Sequence, residues 1–99
     1  MHYCVYILSC SNNTYYTGYT SDLGRRYQEH IQGTDKCKYT RSFKPTAIAQ
    51  AWEIQGTKAS AMKIERYIKT LRKAEKEQLI LHPQQLINVF PDELLDIFN

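Results

Sequence analysis

Two short segments near the N-terminus decide the fold: Tyr3-Cys4-Val5-Tyr6-Ile7-Leu8 and Tyr15-Tyr16-Thr17-Gly18-Tyr19-Thr20. Both are rich in the aromatic and β-branched residues that favour strands. The first segment is apolar on both alternating faces, as in a strand that is covered on both sides. The intervening Ser11-Asn12-Asn13 is typical of a turn. The pattern predicts a β-hairpin in which Tyr6 and Tyr16 can lie close together across the strands.

Helices and one further strand are predicted from the rest of the sequence up to His82. The first helix has Ser21 or Asp22 as its cap and Gly33 as its stop, and Thr57 caps the second. The predicted elements are a helix over 23–32, a basic loop over 33–45, a strand over 46–54, a helix from 57 to about 71 and a helix over 73–81. We therefore expect one α/β domain of the α+β kind over residues 1–82, with a three-stranded, mostly antiparallel sheet flanked by helices.

The last segment, 83–99, differs in character from the rest. It contains eight large apolar side chains and three acids, Asp92, Glu93 and Asp96, but no Lys or Arg. We expect a helical extension with a short amphipathic helix that starts at Pro91. Its apolar side chains would pack on the domain or form a homodimer interface. In a competing hypothesis, the three acids mimic phosphate and cover a basic cleft.

Length and composition limit the classes of function. The 99 residues form one domain, and no apolar run approaches the ~20 residues that span a bilayer. The first residues do not resemble a secretory signal, and we expect a cytoplasmic protein with no membrane partner. The three cysteines, Cys4, Cys10 and Cys37, form no CxxC pair and are too few for a zinc cage or a disulfide framework.

Positive charge is concentrated before the last segment. Residues 1–81 carry 13 Lys and Arg against 7 Asp and Glu, a net charge of +6, whereas the whole chain has a net charge of +3. A basic surface favours an anionic partner such as nucleic acid, because phosphate contacts supply most non-specific affinity. Solvated lysines would give the same charge, so composition alone does not decide the partner.

Four residues are candidates for a site, although each also has a structural explanation. Gly18 weakens a strand unless a bulge or a closely approaching ligand requires it. Glu65 falls near the apolar face of its helix, where it is either a rim residue paired with Lys69 or a metal ligand. Arg26 and His30 lie four residues apart and project together from the first helix, where such pairs are usually solvated or ion-paired.

Together these residues resemble the GIY-YIG nuclease family, in particular its small stand-alone, YhbQ-like branch. Cys4-Val5-Tyr6 stands where the family has its first triplet, and Tyr16-Thr17-Gly18 stands where it has the second. Arg26, His30 and Glu65 follow in the family's order and approximate spacing. The resemblance covers about residues 3–81.

Some positions support the branch and others depart from the family pattern. The stretch Lys38-Tyr39-Thr40-Arg41 supports the branch. Cys4, Val5 and Thr17 replace the family's Gly, Ile and Ile, but these are backbone or packing positions. Both tyrosines and Gly18 remain, so the departures do not argue against activity.

The resemblance implies phosphodiester hydrolysis with one divalent metal ion, Mg²⁺ or Mn²⁺, which Glu65 holds weakly until substrate binds. Arg26 would neutralise the phosphate, Tyr16 would act as the base and Tyr6 would orient the water or the substrate. His30 would receive the proton or hold the phenol in place. The residues expected to contact nucleic acid are Gly18, Arg25, Lys38, Arg41, Lys44 and Lys69.

We therefore expect a metal-dependent endonuclease that acts on nucleic acid, with DNA favoured over RNA. It would read little base sequence, because no recognition helix or zinc finger is evident. An alternative is a non-cutting nucleic-acid-binding or adaptor module with the same fold, although such a module has no need of the full residue set. A third interpretation is an unrelated enzyme that uses Cys4 or Cys37 with a histidine.

Overall fold

The computed structural model describes residues 2–33 and 38–98, which form five helices and one four-stranded sheet. Neighbouring strands are antiparallel, in the order β2-β1-β3-β4. The elements in chain order are β1 (His2–Cys10), β2 (Tyr15–Thr20), α1 (Leu23–Gln32), α2 (Lys38–Ser42), β3 (Pro45–Gln55), α3 (Lys58–Lys69), α4 (Lys73–Leu81), α5 (Gln84–Val89) and β4 (Leu94–Ile97). The predicted α+β class, with an antiparallel sheet and flanking helices, is confirmed.

Alternating side chains of β1 divide the core into two clusters. Val5 and Ile7 are fully buried in one cluster, together with Trp52 of β3 and the apolar side of α3. Tyr6 and Leu8 belong to the other cluster, which includes residues of α1. The alternation accounts for the unbroken apolar run of β1, because successive side chains of a strand point to opposite faces and both faces are covered here.

The helix ends follow the capping signals in the sequence. The Asp22 side chain accepts a hydrogen bond from the Arg25 amide at 3.1 Å and begins α1. Gly33 ends the same helix in the left-handed conformation, with φ 72°, which glycine adopts without steric cost. Thr57 caps α3 by accepting from the Ser60 amide. These local interactions explain why the bounds of α1 are as predicted.

Two segments differ from the prediction. Residues 38–42, expected to be loop, form helix α2, and the helix expected from Pro91 is instead strand β4. The helix expected from Pro91 would have been short, and a helix of so few residues is marginal by itself. The open edge of β3 offers backbone partners to residues 94–97, with Trp52 opposite Ile97, and this pairing adds a fourth strand to the expected three. The prediction of a helix at Pro91 was wrong because it considered only local amphipathicity.

The last segment packs against β3 and α3. Leu86 is fully buried in the larger core cluster, and the Trp52 indole Nε1 donates to the Pro83 carbonyl at 3.0 Å. The ring of Phe90 contacts Tyr67 edge to face, with 5.3 Å between centroids. This packing and strand β4 lie at the edge of the sheet opposite β2.

Gly18 makes room for the ring of Tyr6. The hairpin register places Tyr6 directly opposite Gly18, so Tyr16 is its diagonal neighbour and not its partner. A Cβ atom on Gly18 would lie 2.5 Å from the Tyr6 Oη and 2.7 Å from its Cζ, closer than carbon atoms approach oxygen or carbon without bonding. The tyrosine ring therefore occupies the space that any side chain at position 18 would fill, and strand β2 needs glycine there.

We predict that Gly18→Ala lowers the free energy of unfolding by about 1–3 kcal/mol, since the new methyl group must displace a buried ring. Gly24→Ala is the matched control, because a Cβ atom there would lie 3.8 Å from the nearest atom. Gly24 is exposed on α1, where alanine is more favourable than glycine by up to ~1 kcal/mol, so this variant should be no less stable than the wild type. Urea unfolding of both variants tests the pair. Equal stability of Gly18→Ala and the wild type would contradict the close approach of Tyr6.

Candidate active site

A cleft of about 530 Å³ lies beside β2, the edge strand of the sheet. Its lining comes from β1, β2, α1 and α3, which are separate in the sequence. Six of the predicted site residues line it: Tyr6, Tyr16, Gly18, Arg25, Arg26 and Glu65. Among the described residues of 83–98, none contributes to the lining, so the packing of this segment gives no support to the hypothesis that its acids cover the cleft.

The Tyr6 hydroxyl is held by a buried chain of hydrogen bonds. The His30 Nε2 lies 2.9 Å from the Tyr6 Oη, and the His30 Nδ1 lies 2.7 Å from the Thr40 Oγ1. His30 and Thr40 are fully buried, and Tyr6 is 1% exposed. Either neutral tautomer of the imidazole satisfies both bonds, with one nitrogen donating and the other accepting. The chain joins β1, α1 and α2 at the wall of the cleft.

His30 is neutral at physiological pH. Its pKa is lowered from 6.5 to about 4, chiefly by burial and also by the nearby Arg26 guanidinium, against the weaker opposing effect of Glu29. Both causes disfavour the charged ring, because a buried imidazolium loses hydration and a neighbouring cation repels it. His30 is therefore suited to orienting the Tyr6 hydroxyl through a neutral ring.

Arg26 is oriented by a carboxylate on its own helix. Its Nη1 lies 3.0 Å from the Glu29 Oε1, and the two side chains are partly exposed, at 21% and 28%. Both residues line the cleft. The pair fixes part of the planar guanidinium, and a fork-shaped donor of this kind matches the geometry of phosphate oxygens.

Glu65 is paired with Lys69, as one of the two interpretations expected, and it also lies at the cleft. Its Oε2 lies 3.6 Å from the Lys69 Nζ, as expected for a pair one helical turn apart, and its side chain also lines the cleft. Lys69 is half exposed. Because a long contact between partly exposed groups contributes little stability, the position of Glu65 in the cleft is the more informative of the two observations.

Four other predicted contacts with nucleic acid, Lys38, Arg41, Lys44 and Lys69, lie outside the cleft lining or outside the described side chains. The Lys44 Nζ donates to the Ile31 carbonyl at 2.9 Å, at the C-terminal end of α1. Residues 38 and 41 belong to α2, but the predicted contacts of Lys38 and Arg41 concern side chains outside those the structure describes.

The cysteines do not form a nucleophilic site in the described part of the chain. Cys4 and Cys10 are buried, and burial raises the pKa of both thiols, that of Cys4 to about 12. Since the thiolate is the nucleophile, such thiols are unreactive at neutral pH. Cys37, the other residue considered for this role, lies outside the described residues.

Comparison with known families assigns the chain. The sequence model of the GIY-YIG catalytic domain matches residues 2–78, which include every cleft residue named above. The chain belongs to the GIY-YIG catalytic domain family. The resemblance to these nucleases is thereby confirmed, and the match ends before α5 and β4.

Small proteins and a solved structure are similar to this GIY-YIG domain. A UPF0213 protein of Halobacterium salinarum is 47% identical over 79 residues, which are 80% of this chain and 99% of that protein. A UPF0213 protein of Halalkalibacterium halodurans is 40% identical over 81% of this chain and 83% of that protein. The solution NMR structure of the UPF0213 protein BH0048 from Bacillus halodurans has a TM-score of 0.51 and 40% identity, and the match covers 81% of this chain and 83% of that one.

The donor chemistry of the cleft fits a cation that is shared with substrate. Nucleases of this family use a divalent metal ion, and Glu65 offers it one carboxylate. Within residues 2–33 and 38–98, no three His, Cys, Asp or Glu side chains come together as a metal cage. Mg²⁺ commonly binds through one or two carboxylates and completes its shell with water and phosphate oxygens, which is compatible with Glu65 alone. In the same residue ranges, no helix is long and apolar enough to cross a membrane.

Sequence reasoning missed several residues of the site, among them Lys58 and Thr40. Lys58 lines the cleft, seven residues before Glu65 on α3. Seven residues are close to two helical turns, so the helical period counted back from Glu65 was a signal that could have found it. Thr40 lies in a segment that was predicted as loop, and no periodicity marks it as the partner of His30. Its position could be known only from the folded chain.

We predict that His30 titrates near pH 4 in the folded protein. The unfolded chain takes up this proton near the ordinary pKa of about 6.5, so the folded state binds fewer protons between the two values. The contribution of neutral His30 to the free energy of unfolding is therefore at its full value above pH ~6.5. It decreases as the pH falls from there toward 4.

NMR titration of the imidazole resonances measures this pKa directly. A His30 resonance that titrates at or above pH 6.5 would show that the ring is not desolvated as described.

Proposed function

We propose that this GIY-YIG domain is a divalent-metal-dependent endonuclease that hydrolyses phosphodiester bonds in nucleic acid, with DNA favoured over RNA. The supporting observation is that Tyr6, Tyr16, Arg26 and Glu65 line one cleft although they belong to four different elements. A phosphate-binding cation, a carboxylate and two phenols meet the requirements of the reaction. These are charge neutralisation, a metal ligand, a base and a group that orients the attacking water.

Positive groups on two sides of the cleft would bind the phosphate. Arg25 and Arg26 come from α1, and Lys58 comes from the first residue of α3. In the proposal, Arg26 contacts the scissile phosphate through two parallel donors, while Lys58 and Arg25 attract neighbouring phosphates as charges. Contacts of this kind position the strand but do not read bases, which agrees with low sequence specificity.

Tyr16 is the proposed base, and Tyr6 is the proposed group that orients the water. In the reaction, a water oxygen attacks phosphorus in line with the leaving oxygen, and its proton passes to the Tyr16 phenolate. A divalent ion held by Glu65 would supply charge neutralisation on a phosphate oxygen. The leaving oxygen departs as the bond to phosphorus breaks and then takes a proton from solvent.

His30 is better suited to hold the Tyr6 phenol than to store a proton. A ring whose pKa is about 4 is a poor proton acceptor at neutral pH. In contrast, a neutral imidazole fixed by Thr40 orients the Tyr6 hydroxyl at 2.9 Å. Of the two roles that the family resemblance implies for His30, the geometry and charge favour the positioning role.

The same features separate the nuclease from a non-cutting adaptor. Binding alone requires the basic surface and some shape, but it does not require a buried, desolvated histidine at the wall of the cleft. Burial of a polar ring is costly unless its hydrogen bonds are made. The complete chain from Tyr6 to Thr40 therefore favours a reaction that needs a precisely oriented hydroxyl group.

We predict that Glu65→Gln lowers the rate of cleavage by about 100-fold or more, since removal of one electrostatic group of an active site typically has an effect of this size. Binding and stability should remain close to the wild type, because the contact that Glu65 makes with Lys69 among the described residues is long, at 3.6 Å. The assay uses labelled duplex, single-stranded, flap and junction substrates with Mg²⁺, Mn²⁺ or chelator.

Glu77→Gln is the matched control, because Glu77 is exposed and outside the cleft lining, and glutamine can still accept the hydrogen bond that the Tyr15 hydroxyl donates to Glu77 at 3.1 Å. Full activity of Glu65→Gln, or activity in excess chelator, would refute the metal-dependent mechanism. A wild-type protein that binds every substrate and cuts none would support the adaptor.

Replacement of Arg26 by lysine should also abolish most activity. Arg26→Lys keeps the charge but loses the planar fork, so we expect a loss of about 10-fold or more in cleavage with a smaller change in binding. Arg72→Lys is the control for the substitution itself, since Arg72 is 89% exposed and outside the cleft lining. Cleavage rates of the two variants on one substrate decide the outcome, and equal rates would exclude a bidentate role for Arg26.

A further inference from the structure

Three aromatic rings form a ladder that runs from the cleft to the protein surface. The ring of Tyr16, which lines the cleft, stacks on Tyr39 with 5.8 Å between centroids and 23° between planes. The ring of Phe43 follows at 5.3 Å from Tyr39, tilted by 50°. We call Tyr16, Tyr39 and Phe43 the aromatic ladder. It starts at the proposed catalytic base and ends at Phe43, the residue that directly follows α2.

The outer rings of the ladder are exposed but held in place. Tyr39 and Phe43 are 38% and 39% exposed. The Tyr39 hydroxyl makes a hydrogen bond with the Thr14 hydroxyl in the hairpin turn, and the next residue, Thr40, is buried and bonded to His30. Two anchors therefore fix this short helix, and the aromatic surface is presented in a defined orientation next to the cleft.

The charge around the ladder favours a nucleic-acid occupant. Lys44 directly follows Phe43 in the chain, and Arg25 and Arg26 of α1 line the cleft. Exposed aromatic rings next to positive charge are the arrangement with which proteins bind single-stranded nucleic acid, because each base can stack on a ring while cations contact the backbone. A lipid or an apolar protein surface would not account for the stacking of the ladder onto a cleft residue.

We propose that the aromatic ladder is a binding subsite for unpaired nucleobases next to the scissile phosphate. The inference rests on the proposed nuclease function and adds its substrate class: single strands, or duplexes with an unpaired segment at the cleavage point. The bases of a continuous duplex stack on one another, so their faces are not available to Tyr39 and Phe43 unless the duplex is opened. The ladder would thus make the protein select substrates by strand structure and not by base sequence.

The direct test is binding of labelled oligonucleotides to the full chain on the Glu65→Gln background, which prevents cleavage during the measurement. The probes are a single strand of about 12 nucleotides, within the ~4–16 nucleotides of known single-strand sites, a hairpin duplex of equal charge and an abasic strand of equal length. Phe43→Leu keeps an apolar side chain but removes the aromatic face. Phe98→Leu is the matched control, since Phe98 is 40% exposed and follows β4 at the far edge of the sheet.

We expect Phe43→Leu to weaken binding of the single strand by about tenfold, the size of one lost stacking contact, and to change duplex binding by less than about twofold. Phe98→Leu should change neither. On the same Glu65→Gln background, with the aromatic ladder unchanged, the protein should bind the abasic strand about tenfold more weakly than the normal strand. This last comparison remains decisive even if Phe43→Leu fails to fold.

Equal affinity for the normal and abasic strands would overturn the proposal, as would an equal loss of single-strand and duplex binding in Phe43→Leu. Failure of the subsite proposal can be distinguished from failure of the proposed nuclease function. If the wild type cuts duplex and single strand at equal rates, the nuclease stands and the subsite is wrong. If stacking-dependent binding is found but no substrate is cut, the subsite stands and the hydrolytic function is wrong.

Discussion

The hydrogen bond between the Tyr6 hydroxyl and the His30 imidazole is the constraint on which the rest of the site depends. It requires a glycine in β2, because the Tyr6 ring occupies the place of a side chain there. It requires a buried neutral imidazole from α1, and it requires Thr40 from α2 to satisfy the second ring nitrogen. Four elements are thus fixed relative to one another at the cleft by a few polar atoms, which have no alternative partners in water once they are buried.

The same hydrogen bonds connect catalysis to substrate binding in our account. Thr40 fixes α2, which carries Tyr39 beside the cleft and is followed directly by Phe43. Arg26 lies one turn before His30 on α1, so the helix that orients the phenol also presents the Arg26 guanidinium to the cleft. The opposite edge of the sheet is closed by β4, and the β2 edge keeps the cleft. The apolar last segment therefore completes the core on the side that nucleic acid would not approach.

Much of this arrangement could be predicted from local sequence signals. The hairpin, the caps Asp22 and Thr57, and the stop at Gly33 depend on interactions within a few residues, which is why those element bounds were recognisable. The placement of β4 was not predictable, because it depends on a free edge of β3 that exists only after folding. The roles of Thr40 and of the ladder were likewise hidden, since contacts between α2 and the hairpin span about 25 residues of sequence and leave no periodic trace.

A double-mutant cycle of Tyr6→Phe and Thr40→Val measures most directly whether the hydrogen bonds through His30 act as one unit. Each substitution removes one bond to the imidazole, and urea unfolding of the wild type, both single variants and the double variant gives the coupling free energy. We predict that the double variant loses less stability than the sum of the two single losses, with a coupling of about 1 kcal/mol or more. Losses that add to within ~0.5 kcal/mol would contradict the account, because Tyr6 and Thr40 would then be independent and His30 would not connect the catalytic wall to α2.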